Sequence, residues 1–427
     1  MLDIRLIREE RQRVEKTLKD RGFSFNFGEL VALDTERRKL LAEAEELKHK
    51  RNVASDQIAL FLREKKDPSS LKVEMKSVSH KIDILDSKVG DIDQKIDKSL
   101  LIIPNLPHIS VPIGKDSKSN TIVRKFGSER RFNFNPNSHI EIGQSLGILD
   151  LPRAAKITGS FFPLFVGDGA RLQRALITFM LDLHTKEHGY REIWPPYLVN
   201  RQSMTGTGQL PKFEEDMYRL KDDDYFLVPT AEVPLTNLHR DETLAEDALP
   251  LYYTAYTPCF RREAGSYGKE TKGLVRVHQF DKVELVKFVH PGRSYEEHET
   301  LLQNAEEVLR RLELPYRVVL LCTGDLGFAA SKCYDIEAHA PGIGAYLEVS
   351  SCSNFEAFQA RRANIRFRSK QGKTLGYVHT LNGSGVALAR TVICLLEHYQ
   401  EADGSVTIPK VLRPYMDGQE RLTPQPR

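Results

Sequence analysis

The apolar positions of residues 30 to 100 fall into two long series. Leu30, Leu33, Leu40, Ala44, Leu47, Ala54, Ile58 and Phe61, with Arg37 and Arg51 in register, recur in steps of three and four, the spacing of an a/d seam on one helix. Leu71, Met75, Val78, Ile82, Leu85, Val89, Ile92 and Ile96 repeat those steps. Between the series, KKDPSS carries Asp67-Pro68, where proline's ring and missing N–H stop a helix. Two such helices joined by a short turn must fold back on each other, and thirty-odd residues at ~1.5 Å each make an antiparallel arm roughly 50 Å long. Charges along the arm nearly balance, with KHKR (48–51) and REKK (63–66) as local basic concentrations. The arm therefore reads either as a spacer or dimerisation coiled coil or as a nucleic-acid-binding element.

The second seam ends in LIIPNLPHISVPIGKD, where Pro104, Pro107 and Pro112 favour an extended connector. The boundary is placed here, giving a helical arm domain over 1–110 and a second domain over 111–427. Past the connector, LQRALITFMLDLHTKEHGY is patterned as a helix. YFLVPTAEVPLT, LYYTAYTPCF, LVRVHQFDKVELVKFV, YLEVSSCSNF and GYVHTLNGS alternate as strands. Strands without regular intervening helices predict an antiparallel sheet covered by a few helices, an α+β organisation. Neither G-x-G-x-x-G nor G-x-x-x-x-G-K-[ST] follows a strand, which disfavours Rossmann and P-loop folds.

Composition narrows the class. With 40% apolar and 28% charged residues and no apolar run near the ~20 residues that span a bilayer, the chain reads as globular with no membrane partner. MLDIRLIREERQRVEK lacks the apolar region of a secretory leader. Cys259, Cys322, Cys333, Cys352 and Cys394 form no C-x-x-C pair, so a reducing compartment is expected and no structural zinc. A formal charge of +3 over 427 residues requires any nucleic-acid-binding surface to be local.

Three segments carry candidate chemistry. FRREAGSYGKETKG (260–273) places charges of both signs and three glycines between strand-like stretches. Strand alternation would project Arg261 and Glu263 together on the way in, and Arg276, His278 and Glu284 together on the way out. Such a face is either solvated or used on a ligand bearing both charges; ATP with an amino acid would fit, since guanidinium pairs with phosphate or carboxylate and glutamate with ammonium or amino-purine. In TLNGSGVALARTVICLLEHYQ, Gly385, Ala387 and Ala389 leave little bulk where strand meets helix. Arg390 stands in the first helical turn, where the dipole favours an anion, so it is either solvated or waiting for one. Finally, Glu232 lies between Pro229 and Pro234 in a strand-like stretch, as at a sheet edge or rim, where a solvated edge charge is the plainer reading of the residue alone.

Together these segments resemble the seryl-tRNA synthetase family over essentially the whole chain. REIWPPYLV resembles motif 1 of the class II synthetases, TPCFRREAGSYGKETKGLVRVHQFDKVEL motif 2 and LNGSGVALAR motif 3. PTAEVPLT, GTGQLPKF, SSCSNFEAFQARR and VLRPYM resemble segments peculiar to seryl enzymes. The resemblance implies an ATP-dependent ligase that activates L-serine as seryl-adenylate and transfers it to the 3′ end of tRNA(Ser), and of tRNA(Sec) where present. It implies Thr230, Ala231, Glu232, Glu284 and Ser384 for serine. For ATP it implies Arg261, Arg262, Glu263, Val277, Glu348, Val349, Ser350 and Ser351, with Glu348 and Ser351 as Mg²⁺ ligands. Arg261 and Arg390 would be the catalytic pair. A homodimer, a cytoplasmic location and a tRNA-binding arm are also implied. Gly265, Gly268 and Gly273 would let the motif 2 tip serve ATP first and the tRNA end second, while Lys269, Glu270 and Lys272 meet the acceptor stem or face water.

Two positions depart from the family pattern. Leu347 precedes Glu348 where arginine or lysine is common, and Ala338-His339 replaces Val-Trp. Both bear on packing near the nucleotide strand.

Overall fold

The computed structural model describes residues 1–263, 272–370, 372 and 375–424. The chain divides into two compact units: Leu2–Lys19 with Phe23–Pro104, and Asn105–Arg427 with Met1 and Asp20–Gly22.

The first unit is helical: α1 (Ile4–Glu9), α2 (Arg11–Asp20), α3 (Phe27–Arg63) and α4 (Ser69–Leu101). Asn26 starts α3 by accepting a hydrogen bond from the Gly28 N–H, and the helix stops before Pro68. α3 and α4 pack as the antiparallel pair that the two seams predict, burying Leu30, Ala44 and Ala54 on one side and Met75, Ile82, Leu85, Val89, Ile92 and Ile96 on the other. Lys48–Asp86 (2.9 Å), Lys50–Glu74 (2.7 Å) and Lys81–Glu43 (2.7 Å) bridge the two helices. Each such exposed pair contributes about 0.2–1 kcal/mol, so apolar burial holds the arm. The seam is not uniform: Leu33, Leu40 and Leu47 are half-buried, whereas Asp34 is buried, its carboxylate 2.8 Å from Arg8 of α1.

The second unit is built on an eight-stranded sheet: β1 (Thr121–Phe126), β2 (Arg191–Glu192), β3 (Leu251–Phe260), β4 (Gln279–Val289), β5 (Tyr316–Leu320), β6 (Lys332–Ala340), β7 (Ala345–Asn354) and β8 (His379–Ala387). Their order is β1-β5-β6-β7-β8-β4-β3-β2, antiparallel except for β2 beside β3. Helices α5 (His139–Ser145), α6 (Leu151–Thr158), α7 (Asp168–Lys186), α8 (Arg201–Thr207), α9 (Glu232–Thr236), α10 (Ser294–Arg311), α11 (Phe358–Arg362) and α12 (Leu388–His398) complete the unit. The main core joins Leu176, Phe179 and Met180 of α7, Leu302 and Leu309 of α10 and Ile393 and Leu396 of α12 to sheet residues Val318, Ile336 and Val386. Among the described residues no helix is long and apolar enough to cross a membrane.

The structure corrects three strand readings. PTAEVPLT is not a strand: strand pairing ends at Leu227, and Glu232–Thr236 is a short buried helix. Pro234 fits there because the first turn leaves N–H groups unpaired anyway. LVRVHQFDKVELVKFV becomes strand only at Gln279, so Arg276 and His278 do not share a strand face with Glu284. Nor is Glu263 on a strand. β3 ends at Phe260, and Glu263 has φ 48°, in the left-handed region. β1 escaped the sequence reading because all six of its residues are exposed, which leaves no alternation to detect.

Candidate active site

Two bulges shape the sheet where the candidate residues meet. On β7 the register to β6 shifts between Glu348 and Ser350, and on β8 the register to β4 shifts between Ser384 and Val386. Each extra residue re-aims the side chains around it. At position 385 only hydrogen fits, since a Cβ there would come within 2.9 Å of His184 Nε2 and 3.2 Å of the Val283 carbonyl.

Above the bulges lies a cavity of about 580 Å³, lined by Thr230, Glu232, Arg261, Glu263, Val277, Glu348, Val349, Ser350, Ser351, Ser384 and Arg390. Eleven of the fourteen residues singled out in the sequence thus converge on one space. Three do not. Ala231 is fully buried in the cluster of Leu235, Val286 and Phe288. Glu284 is fully buried below the cavity. Arg262 lines a neighbouring depression of about 360 Å³ with Phe161, Tyr218 and His278, because consecutive residues of an extended chain face opposite ways.

Arg261 is set by backbone bonds to either side. Its N–H donates to the His278 carbonyl (2.8 Å), and its carbonyl accepts from His278 Nδ1 (3.0 Å). The guanidinium stands 5.1 Å from the centre of the Phe280 ring. Glu263 is ion-paired with Arg276 at 3.0 Å. Arg390 reaches across the cavity wall, donating from Nε to the Val275 carbonyl (3.1 Å) and from Nη1 to the Glu348 carbonyl (2.9 Å), with the Glu348 carboxylate 3.4 Å away. Two of the cavity's cations are therefore held mainly by neutral groups, which leaves their charge largely available to an anion.

Alternation along β4 brings in two lining residues that the sequence reading passed over, Phe280 and Lys282. Lys282 Nζ donates to the Thr230 hydroxyl (2.9 Å) and lies 2.6 Å from Glu284 Oε2, an ionic approach rather than an aligned hydrogen bond. The other oxygen of Glu284 accepts from Asn382 Nδ2 (3.0 Å), itself a lining residue. The signal for Lys282 was its shared strand parity with Glu284. Burial pushes the Glu284 carboxyl above the usual range, against the pull of Lys282. Burial, with Glu284 adding to it, pushes Glu232 up to about 7. Asp335, opposite Ser351 across β6 and β7, is pushed up to about 8 by burial and then by Glu348.

Of the motif 2 tip, Gly265, Gly268, Lys269 and Glu270 lie outside the described residues. Gly273 has φ 66°, and a Cβ there would collide with His139 and Ile140, so the position requires glycine. Lys272 is exposed. The two departures are cross-strand neighbours: Leu347 stands directly opposite Ala338 in the register, and the His339 and Tyr346 rings pack at 5.0 Å.

An antiparallel sheet carrying a cavity walled by motif 2 and motif 3 arginines is the architecture of a class II aminoacyl-tRNA synthetase core. The family of class II core domains (G, H, P, S and T) matches residues 212–399, and the seryl-tRNA synthetase N-terminal domain matches residues 1–107. The chain is 55% identical to a serine–tRNA ligase of Desulforapulum autotrophicum over 427 residues, covering 100% of both chains. It is 57% identical to that of Geobacillus kaustophilus over 421 residues, covering 98% of this chain and 99% of that one. The crystal structure of seryl-tRNA synthetase from Pyrococcus horikoshii complexed with ATP superposes with a TM-score of 0.90 at 41% identity, with both chains fully covered. That of the cytoplasmic serine–tRNA ligase from Naegleria fowleri in complex with AMP gives 0.86 at 30%, covering 100% and 99%. The chain belongs to the serine–tRNA ligase family, and its activity is the ATP-dependent joining of serine to tRNA.

Proposed function

We propose that the cavity activates serine at its Glu232–Lys282 end and binds ATP between Arg261 and Arg390. The single observation that carries this reading is the convergence of Arg261, Arg390, Glu232 and Ser384 on one space. In the first step the serine carboxylate attacks the α-phosphorus in line and pyrophosphate leaves. No general base is needed, because the carboxylate is already ionised near pH 7. Arg261 stabilises the extra charge on the α-phosphoryl oxygens, Arg390 holds the terminal phosphates, and positioning supplies much of the remaining rate. Glu263 and Val277 receive the adenine. In the second step the ribose hydroxyl at the 3′ end of tRNA(Ser), or of tRNA(Sec) where present, attacks the seryl carbonyl and AMP departs.

Thr230, Glu232 and Ser384 line the serine end, with Glu284 beneath them and Ala231 contributing through its backbone. Polar groups arranged for the serine hydroxyl are left unpaired by alanine, which makes rejection of alanine strong, while threonine is excluded by shape. Glu348 and Ser351 suit Mg²⁺. They are hard oxygen donors on the cavity wall, and among the described residues no cluster of three acidic, His or Cys groups competes, so two protein ligands would be completed by water and phosphate. When bound, the ion supplies charge neutralisation at the phosphates. Arg262, which faces the neighbouring depression, takes a secondary part at the ATP site.

Serine-dependent ATP–pyrophosphate exchange, followed by transfer to tRNA, tests the two steps. No exchange would sink the activation chemistry, and exchange without transfer would point to another acceptor. The arm is assigned to tRNA backbone and shape rather than base edges, as RNA helices favour. Replacing Arg63, Lys65 and Lys66 by alanine should leave exchange unchanged and raise KM for tRNA several-fold. The salt dependence of binding should become shallower by roughly one log unit per lost phosphate contact. Unchanged charging across salt would remove those residues from the interface.

Trp194, 71% exposed in the motif 1 segment, supports a homodimer surface. Light scattering should return twice the chain mass, with Trp194→Lys shifting the population toward monomer. A monomer in the unsubstituted protein would end that reading. A cytoplasmic location follows from dependence on tRNA and ATP.

A further inference from the structure

Behind Glu232 runs a buried amide relay that the chemistry above does not use. Gln359 of α11 is fully buried and does not line the cavity. Its Nε2 donates to Glu232 Oε1 (2.6 Å) and to the Thr207 carbonyl (3.1 Å), while its Oε1 accepts from the Thr380 hydroxyl (2.7 Å). Both acceptors sit at one end of the amide and the donor at the other, so the network admits one orientation of the side chain. Thr207 and Thr380 are themselves buried, and Thr207 ends a helix whose next residue, Gly208, takes φ 98° in a left-handed cap. The clamp thus joins α8, α9, α11 and β8 at one carboxylate.

We propose that Gln359 is a positioning residue for serine recognition: locked by Thr207 and Thr380, it fixes the rotamer of Glu232 and occupies one carboxylate oxygen, leaving the other to accept from serine. The inference rests on the reading that Glu232 contacts serine.

A buried glutamate free to rotate or to take up a proton would bind serine weakly, and both outcomes are close at hand here. Glu284 faces Glu232 from β4 and raises its proton affinity, whereas Lys282 of β4 and Arg261 beyond β3 lower it. A hydrogen bond donated to the carboxylate favours the charged form. Gln359 is the neutral member of this set, so it adds a donor without drawing the serine carboxylate away from the cations.

The test is steady-state exchange against serine, ATP and pH with Gln359→Leu, Thr380→Val and Glu232→Gln. For Gln359→Leu, KM for serine should rise at least ~10-fold with KM for ATP unchanged. The acid limb of kcat/KM for serine, which reports the free enzyme, should move up by about one pH unit. Thr380→Val should move the same limb in the same direction by less. A purely structural role would lower the melting temperature without moving that limb. A folded Gln359→Leu enzyme with normal serine KM and an unmoved limb overturns the proposal. Should that variant fail to fold, an unmoved limb in Thr380→Val does so instead. Glu232→Gln separates the premise from the inference: normal serine KM in that variant removes both, while loss of serine there with a normal Gln359→Leu enzyme removes only the role of Gln359.

Discussion

Replacing Arg261 by alanine is expected to slow serine-dependent ATP–pyrophosphate exchange by at least ~10²-fold, the usual cost of removing one preorganised donor from a developing oxyanion. The magnitude follows from how the side chain is held. Its backbone is bonded on both sides to His278 and its guanidinium lies against Phe280. Little reorganisation is therefore required when charge develops at phosphorus. Because that charge is larger in the transition state than in bound ATP, kcat should fall more than KM for ATP rises. Arg261→Lys should recover only a small part, since an ammonium cannot offer the planar fork of donors. Near-normal exchange in the alanine variant would refute the assigned role.

The second large effect concerns stability. Lys282 and Glu284 are 7% and 0% exposed at their side chains, so Lys282→Met leaves a buried carboxyl without its cation and should destabilise the protein by about 3–5 kcal/mol near neutral pH. Burial already raises Glu284 above its unfolded value, and loss of Lys282 raises it further. Such a group contributes stability below its unfolded pKa and loses it as pH climbs through the folded one. The defect should therefore be mildest in acid and worsen toward pH 8, and the added change Glu284→Gln should relieve part of it. Urea denaturation of the three proteins across that range provides the measurement. A pH-independent defect would mean that lost packing, rather than the unpaired buried carboxyl, is responsible.

Sequence periodicity made the arm legible because a helix seam repeats over many turns, and each register error would bury a charge. β3 and β4 were legible for the same reason at period two. The TAE segment was misread since a five-residue helix carries no measurable period, and its buried glutamate obeys a tertiary network invisible in the chain. Lys282 was hidden in plain alternation within FDKVEL. Gln359 had no local signal at all, as its meaning comes from partners at Thr207, Glu232 and Thr380. The convergence of motif residues was legible through family resemblance. That Arg262 turns to another depression and Ala231 enters the core follows instead from where β3 ends and α9 begins.

The paired bulges at Val349 and Gly385 give this site an arithmetic constraint. On each of two neighbouring strands, one surplus residue decides which side chains face the cavity and which enter the core. Deleting the surplus residue from either strand would restore ideal pairing and invert every following side chain, moving Ser351 or Ala387 off the cavity face while leaving the sheet intact. Tolerance to insertion and deletion should thus be lower here than tolerance to conservative exchange, because the spacing of these strands carries information that no single amino acid does.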